Sequence, residues 1–246
     1  MRAHLPDGRR RRVRRLVLEW YHAHRRALPW RRTRDPWAVL VSEILLHQTQ
    51  VDRVVPVYER FLERWPTPQT CAAAPLAEVK AVTDPLGYKA RGGWLHAIAT
   101  SVGQRPAPYL PDDPAELRRL RGIGRYTAGA VASIAYDRPE PLVDTNVRRL
   151  FERLFRLPPV APPGAAGRAA ELWALARILV AGPDPGSFNQ GLMELGALVC
   201  RPRRPRCGIC PLEPVCASRR PRLRPVHFLG PSEPDPPGSR AVSASR

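Results

Sequence analysis

The segment CRPRRPRCGICPLEPVC, residues 200–216, spaces four of the five cysteines of the chain as Cys-x6-Cys-x2-Cys-x5-Cys. They are Cys200, Cys207, Cys210 and Cys216. Disulfides are improbable in a chain that we expect to be cytosolic, so four thiols this close together indicate a metal centre. Zinc sites favour paired Cys-x2-Cys knuckles, and this set has one such pair with looser outer spacings. An iron–sulfur cubane tolerates that irregularity, so we predict a [4Fe–4S] cluster, with the isolated Cys71 as a buried apolar residue.

The segment belongs to a strongly basic chain of 246 residues, with 40 lysines and arginines against 22 aspartates and glutamates and a net charge of +18. Such an excess predicts a polyanionic partner, and nucleic acid is the first candidate. Nearly all of the basic residues are arginine, so coding bias is an alternative source of part of the excess. No stretch approaches the ~18 apolar residues of a membrane span. We expect a monomeric, cytoplasmic and nucleoid-associated protein without a membrane partner.

Upstream of the cysteines, the apolar residues recur with helical periodicity. The periodic segments are broken by proline and glycine, and none of them alternates like a strand, so the sequence predicts an all-α fold. A basic run at residues 9–15 leads into the first helix, and it fits either a solvated helix face or a phosphate contact. Residues 218–246 are rich in proline and charge, which predicts a disordered tail.

A buried carboxyl group is predicted in the helix that begins at Asp35 and Pro36, an N-cap followed by proline at the first helical position. The residues that follow are apolar on nearly every face apart from Ser42 and Glu43, which is typical of a buried helix. Burial raises the pKa of Glu43, as a general acid near neutral pH requires. The alternative is a purely structural Glu43–His47 pair at i,i+4, and periodicity alone does not decide between the two.

A glycine-flanked turn, Gly122-Ile123-Gly124, separates two predicted helices, the second of which begins at Arg125. Two glycines permit a tight turn and leave backbone N–H groups at the start of the second helix free to face a phosphate. On its own, however, the motif fits an ordinary turn between helices better.

Asp144 precedes another helix, in which one apolar stripe predicts core packing. The aspartate is well explained as an N-cap, and in that position its carboxylate could also face a cleft. The stripe consists of Val147, Leu150, Phe151, Leu154 and Phe155.

Taken together and in this order, these segments resemble the helix-hairpin-helix DNA glycosylases typified by endonuclease III. Within that family they resemble the MutY adenine glycosylases more than the related Mig thymine glycosylases, and the cysteine spacing matches the family's iron–sulfur signature. The resemblance covers about residues 12–217. Its segments are Leu28-Pro29-Trp30-Arg31, Ser42 to Val51, Leu86-Gly87-Tyr88, Gly122 to Thr127, Val143-Asp144-Thr145-Asn146 and Phe188 to Gly196.

The resemblance implies two helical lobes that flank a DNA-binding cleft. A six-helix barrel with the helix-hairpin-helix motif would span residues 28–141. An iron–sulfur cluster domain would combine residues 1–27 and 142–217. The partner would be double-stranded DNA with a mismatched or damaged base.

The resemblance also implies the residue roles. Glu43 matches the glutamate that protonates adenine at N7, and Asp144 matches the aspartate that stabilises the oxocarbenium-like sugar or traps it covalently. Tyr126 and Asn146 match residues that orient this aspartate. The positions that match contacts to DNA or to the flipped base are Arg26, Arg31, Leu46, His47, Gln48, Tyr88, Gly122, Gly124 and Arg125, and among them Gln48 and Tyr88 match side chains that wedge into the duplex.

The identity of residue 126 separates two subclasses of the family. Strand-cleaving relatives carry a lysine there, which forms a Schiff base with the sugar, whereas Tyr126 cannot. We therefore expect a monofunctional base-excision-repair glycosylase that removes adenine opposite guanine or 8-oxoguanine. The alternatives are a Mig-like enzyme for T·G or U·G mismatches and a non-catalytic DNA-binding protein. His47 departs from the usual glutamine of MutY.

Full MutY proteins carry a further C-terminal domain that recognises 8-oxoguanine. This chain ends about 30 residues after Cys216. The sequence therefore predicts a weaker preference for 8-oxoguanine.

Overall fold

The computed structural model describes residues 2–107, 109–157, 166–220 and 226–229, and helices make up nearly all of its regular structure. The all-α prediction is confirmed. No helix among these residues is long and apolar enough to cross a membrane. The helices are α1 (Asp7–His24), α2 (Pro36–Leu45), α3 (Val51–Arg64), α4 (Pro68–Ala73), α5 (Leu76–Thr83), α6 (Ala90–Val102), α7 (Pro114–Leu117), α8 (Arg125–Tyr136), α9 (Thr145–Leu154), α10 (Ala166–Val180) and α11 (Pro185–Leu198).

The second helix begins where the sequence predicts and is buried throughout. Asp35 caps it by accepting a hydrogen bond from the Ala38 amide at 2.8 Å, and Pro36 occupies the first helical position. All ten residues of α2 are buried. Because this helix has no polar face to offer to water, other helices must cover it on every side.

The helices pack in two groups that share α8. In one group α2 packs against α3, α6 and α8, while α4 and α5 pack against α6. In the other group α11 packs against α1, α8, α9 and α10. Gly129 lets α8 approach the following loop, since a Cβ atom there would lie 2.2 Å from the Pro141 carbonyl oxygen. The lobe boundaries at residues 28 and 142 stay a prediction, and residues 158–165 of the second lobe lie outside the described residues.

Two short strands depart from the sequence expectation. β1 (Arg2–His4) and β2 (His227–Leu229) pair in antiparallel register, with Ala3 opposite Phe228. The predicted disorder of residues 218–246 is therefore wrong for 227–229. Strand β1 at the N-terminus, far away in sequence, supplies the partners for their backbone hydrogen bonds. Residues 221–225 and 230–246 of that predicted tail lie outside the described residues.

Part of the basic run of α1 binds carbonyls at helix ends, whereas Arg11, Arg12 and Arg15 are exposed. Arg14 is buried, and its Nη1 donates to the carbonyls of Leu179 at 2.7 Å and Val180 at 2.9 Å. Arg9 donates to the Leu154 carbonyl at 3.2 Å. The carbonyls at a helix C-terminus have no partner within the helix, and a cation there also interacts favourably with the helix dipole. Part of the basic charge therefore stabilises the fold.

We expect Arg14→Met to lower the free energy of unfolding by about 2–3 kcal/mol, because it leaves several buried carbonyls without donors. The adjacent Arg15 is a matched control. Among the described residues it pairs with the exposed Glu19 on the same helix, at 3.0 Å, so Arg15→Met should change the stability by less than about 0.5 kcal/mol. Urea unfolding of both variants measures the difference. Equal effects of the two substitutions would contradict the structural role of Arg14.

Candidate active site and metal centre

A cavity of about 230 Å³ lies where the two groups of helices meet. An apolar cavity of about 150 Å³ can hold benzene, so this volume leaves room for one nucleobase. Side chains from α2, α8, α9 and α11 line it together with the segment before α2. The polar lining residues are Arg26, Arg31, Ser42, Glu43, Thr49, Tyr126, Asp144, Asn146, Gln190 and Glu194.

Glu43 is the only acidic residue of α2 and lines this cavity with 5% of its surface exposed. Burial raises the pKa of Glu43 to about 7, and the negative charge of Asp144 acts in the same direction. A hydrogen bond with Tyr126 and the positive charge of Arg31 oppose this rise. The carboxyl group can therefore carry a proton near neutral pH, as a general acid must. The alternative of a Glu43–His47 helix pair fails, since α2 ends before His47.

Asp144 is the N-cap of α9, as predicted, and its two carboxylate oxygens have different partners. Oδ1 accepts a hydrogen bond from the Val147 amide at 2.7 Å, whereas Oδ2 accepts one from Asn146 Nδ2 at 2.9 Å. The capping bond fixes the side chain, and the carboxylate lines the same cavity as Glu43. The structure thus brings together the two predicted carboxyl groups, one on each group of helices.

Tyr126 lies in the first turn of α8 and lines the same cavity as the two carboxyl groups. Its hydroxyl donates a hydrogen bond to Met193 Sδ at 3.1 Å. Burial raises the pKa of Tyr126 well above its ordinary value, and the charges of Glu43 and Asp144 raise it further. The phenol therefore stays protonated and can act as a hydrogen-bond donor in the cavity.

Glu194 of α11 is a site residue that the sequence reasoning missed. Its buried carboxylate accepts paired hydrogen bonds from Arg26, at 2.8 Å to each oxygen, and from Arg31, at 2.9 and 2.8 Å. Burial alone would raise the pKa of Glu194, but the two guanidinium groups lower it to about 2. The available signal was a single acid within the apolar sequence GLMELGAL. The predicted contacts Arg26 and Arg31 do line the cavity, and Leu46 lines it with them.

The two predicted wedge residues lie on the surface and are not among the residues that line the cavity. Gln48 is exposed, with φ of 53°, in the turn that joins α2 to α3. Tyr88 is 40% exposed and precedes α6. His47, in the same turn as Gln48, is half-buried, and its Nε2 lies 3.5 Å from Thr127 Oγ1. Burial and the nearby Arg91 lower the pKa of His47, so the imidazole is neutral at neutral pH.

The hairpin before α8 has the geometry that its glycines suggest. Gly122 has φ of 80°, a conformation that favours glycine, while Gly124 is the extended N-cap of α8. Arg125 was predicted to contact DNA, but in the structure its side chain stacks on Trp173. The guanidinium carbon lies 3.8 Å from the centre of the Trp173 ring. The backbone at the start of α8 is thus the better candidate for a phosphate contact at this turn.

The four cysteines after α11 line one cavity of about 340 Å³. Among the described residues, no group of three or more histidine, cysteine, aspartate or glutamate side chains is arranged so that it could hold a metal ion. Four thiols around one space of this volume are nevertheless a donor set that fits a thiolate-bound cluster. Arg153 Nη1 donates to Cys200 Sγ at 3.5 Å, which would stabilise a thiolate there.

Arg149 of α9 was also missed, and it connects the two sites. Its Nη2 donates to Asn146 Oδ1 at 2.9 Å, and its Nε donates to the Cys200 carbonyl at 2.8 Å. Asn146 in turn donates to Asp144. One arginine therefore fixes the position of the cysteine segment relative to the candidate active site.

Comparison with known proteins places this arrangement in a family. The model of the HhH-GPD superfamily of base excision DNA repair proteins matches residues 41–175. The adenine DNA glycosylase of Rattus norvegicus is 42% identical over 212 residues, which are 82% of this chain and 41% of that protein. The chain thus spans about two fifths of the length of the mammalian relatives that it matches.

Two thymine glycosylases match over nearly their full lengths. The thymine-DNA glycosylase of Aeropyrum pernix is 37% identical over 216 residues, which are 86% of this chain and 96% of that protein. The solved structure of a thermostable thymine-DNA glycosylase superposes with a TM-score of 0.77 at 29% identity and covers 87% of this chain and 98% of its own. On the family match and these relatives, the chain belongs to the HhH-GPD superfamily of base excision DNA repair proteins.

Proposed function

We propose that the protein is a monofunctional DNA glycosylase that removes adenine from mismatched DNA, with guanine or 8-oxoguanine opposite the adenine. The observation that carries the proposal is the buried Glu43, whose pKa of about 7 keeps a proton available in a cavity with room for one base. Identity of 42% to an adenine DNA glycosylase supports the same base.

Glu43 would donate its proton to N7 of a flipped adenine. The C1′–N9 bond then breaks with its electron pair moving into the base, which leaves as neutral adenine because N7 has been protonated. Protonating the leaving group lowers the barrier most when the acid has a pKa near the working pH. The ring nitrogen of a purine suits this chemistry, whereas a pyrimidine leaves as an anion stabilised through its carbonyl oxygens.

Asp144 would stabilise the positive charge that develops on the sugar. Its carboxylate is fixed by the α9 cap and by Asn146, so it does not have to reorganise as that charge appears. Water then adds to C1′ and gives up a proton to the carboxylate of Glu43, which leaves an abasic site in an intact strand and restores the acid. Tyr126 has no amine and cannot form a Schiff base with the sugar, so no strand cleavage would accompany base release.

Double-stranded DNA would be the partner, in keeping with the net charge of +18. The backbone at the start of α8 would bind a phosphate, while Gln48 and Tyr88 would fill the space that the base leaves. Cys200, Cys207, Cys210 and Cys216 would hold a [4Fe–4S] cluster. When bound, this cluster would cross-link the segment that packs against α9. The expected location of the protein is the cytoplasm, on the nucleoid.

The match to two thymine glycosylases extends over nearly their full lengths. This extent favours one alternative, excision of thymine or uracil opposite guanine. The proposal predicts that adenine leaves faster than either pyrimidine, by about tenfold or more. The measurement is single-turnover excision, with protein in excess, from A·G, A·8-oxoguanine, A·C, T·G and U·G duplexes. Each reaction is analysed before and after alkali, because an intact strand before alkali is the monofunctional result.

Asp144→Asn is the control for this assay, since it should bind each duplex and release no base. Faster release of thymine or uracil than of adenine would overturn the choice of base. Duplex binding without excision of any base by the wild-type protein would instead support a non-catalytic DNA-binding protein.

The cluster has its own test in the metal content of the purified protein. We expect about four irons per chain and broad visible absorbance, because four thiolates in one cavity suit a cubane. Cys210→Ser should lose most of the iron. Cys71→Ser is the matched control and should keep it, since Cys71 is buried elsewhere in the first group of helices. Stoichiometric zinc without iron in the wild-type protein would refute the cluster.

A further inference from the structure

Helix α6 begins two residues after Tyr88 and turns two large side chains, Arg91 and Trp94, toward the surface that carries the candidate wedge residues. They are three positions apart and therefore lie on one face of the helix. Neither is among the residues that line the base cavity. Any influence of these side chains on the reaction must therefore pass through the groups that they contact.

Arg91 binds the turn that presents Gln48. Its side chain is completely buried, and Nε donates to the Ile44 carbonyl at 3.2 Å. Nη2 donates to the His47 carbonyl and to the Thr49 hydroxyl. These acceptors lie at the C-terminal end of α2 and in the turn after it, where a cation interacts favourably with the helix dipole.

The turn needs such support because Gln48 adopts a left-handed conformation, with φ of 53°. A residue with a Cβ atom is strained there and keeps the conformation only when its surroundings enforce it. Arg91 binds acceptors on both sides of Gln48. Its guanidinium carbon also lies 5.6 Å from the centre of the Tyr88 ring, so one side chain contacts both wedge elements.

Trp94 joins the same elements to the hairpin. Its indole meets Tyr88 edge to face at 5.5 Å between ring centroids, and His47 edge to face at 6.1 Å. It also packs against Gly122, where an added Cβ atom would lie 2.5 Å from the indole Cδ2. The turn after α2, Tyr88 and the hairpin before α8 therefore all contact a single half-buried ring.

We propose that Arg91 and Trp94 are positioning residues that hold Gln48 and Tyr88 in the geometry needed to open the duplex and extrude the base. This inference rests on the proposed glycosylase function. Both residues act on base flipping and leave bond cleavage itself to Glu43 and Asp144. Their loss should therefore matter most for a stacked target and little for a base that is already unpaired.

The experiment compares single-turnover adenine excision from two substrates, an A·G mismatch in a continuous duplex and an adenine at the centre of a three-nucleotide unpaired loop. We expect Trp94→Leu to slow excision about tenfold on the mismatch and less than about threefold on the loop. Trp94→Phe, which keeps an aromatic edge, should restore most of the mismatch rate. Arg91→Lys should behave like Trp94→Leu, because a point charge cannot reach all three acceptors.

Trp20→Leu is the matched control. Trp20 is also half-buried, but its ring stacks on His24 at the end of α1, so its loss should slow neither substrate selectively. Thermal unfolding of each variant shows whether the fold survives. A 2-aminopurine next to the target adenine reports duplex opening on binding, and this signal should fall in Trp94→Leu and Arg91→Lys.

Equal slowing on both substrates, or unchanged rates with an unchanged 2-aminopurine signal, would overturn the inference. A wild-type protein that excises adenine from neither substrate would instead contradict the proposed function. In that case the 2-aminopurine signal of the wild-type protein and the variants still tests the positioning role.

Discussion

The burial of one carboxyl group in a helix without a polar face is the constraint on which the rest of the site depends. Because α2 is covered on every side, Glu43 has little access to water and retains its proton near neutral pH. The helices that cover α2 also supply its chemical neighbours. α8 brings Tyr126 against Glu43, α11 packs on α8, and α9 packs on α11, so that Asp144 and Glu194 line the same cavity.

Two buried glutamates in this cavity differ in protonation because their neighbours differ. Among the described residues no guanidinium is hydrogen-bonded to Glu43, and its pKa rises to about 7, whereas Glu194 binds two arginines and its pKa falls to about 2. The consequences for stability have opposite signs. Glu194 stabilises the fold above its ordinary pKa of 4.5, and this contribution is lost as the pH falls toward 2. Glu43 costs stability as the pH rises from 4.5 through 7, because the folded protein keeps the proton longer. This loss of stability accompanies a carboxyl group that can still donate a proton near neutral pH.

The parts of the structure that depend on local sequence could be predicted. The cap at Asp35, the buried helix with Glu43, the cap at Asp144 and the cysteine segment each lie within a few neighbouring residues. The resemblance then supplied the pairing of Glu43 with Asp144, which no local pattern contains. Contacts between distant segments could not be predicted. Glu194 meets Arg26 across 168 positions, and the strand pair joins the two ends of the described chain.

The contacts of the arginines could not be predicted from the sequence, because a run of basic residues does not show which groups each guanidinium binds. A basic N-terminal segment suggested a solvated face or phosphate contacts, yet Arg14 is buried against the end of α10. Arg149 donates hydrogen bonds both to the cysteine segment and to Asn146. Arg91, on α6, donates to the end of α2 and the turn after it. The net charge therefore overstates the positive surface that is available to DNA.

The most direct test of a protonated Glu43 is the pH dependence of single-turnover adenine excision by the wild-type protein and by Glu43→Gln, measured between about pH 5 and 9. A pKa of about 7 means that the acid is present below this pH and lost above it. The account predicts a wild-type rate that falls as the pH rises through 7, and a Glu43→Gln variant that binds DNA, is slower by orders of magnitude and lacks this step. A wild-type rate that rises through pH 7, or a Glu43→Gln variant with a near-normal rate, would contradict it.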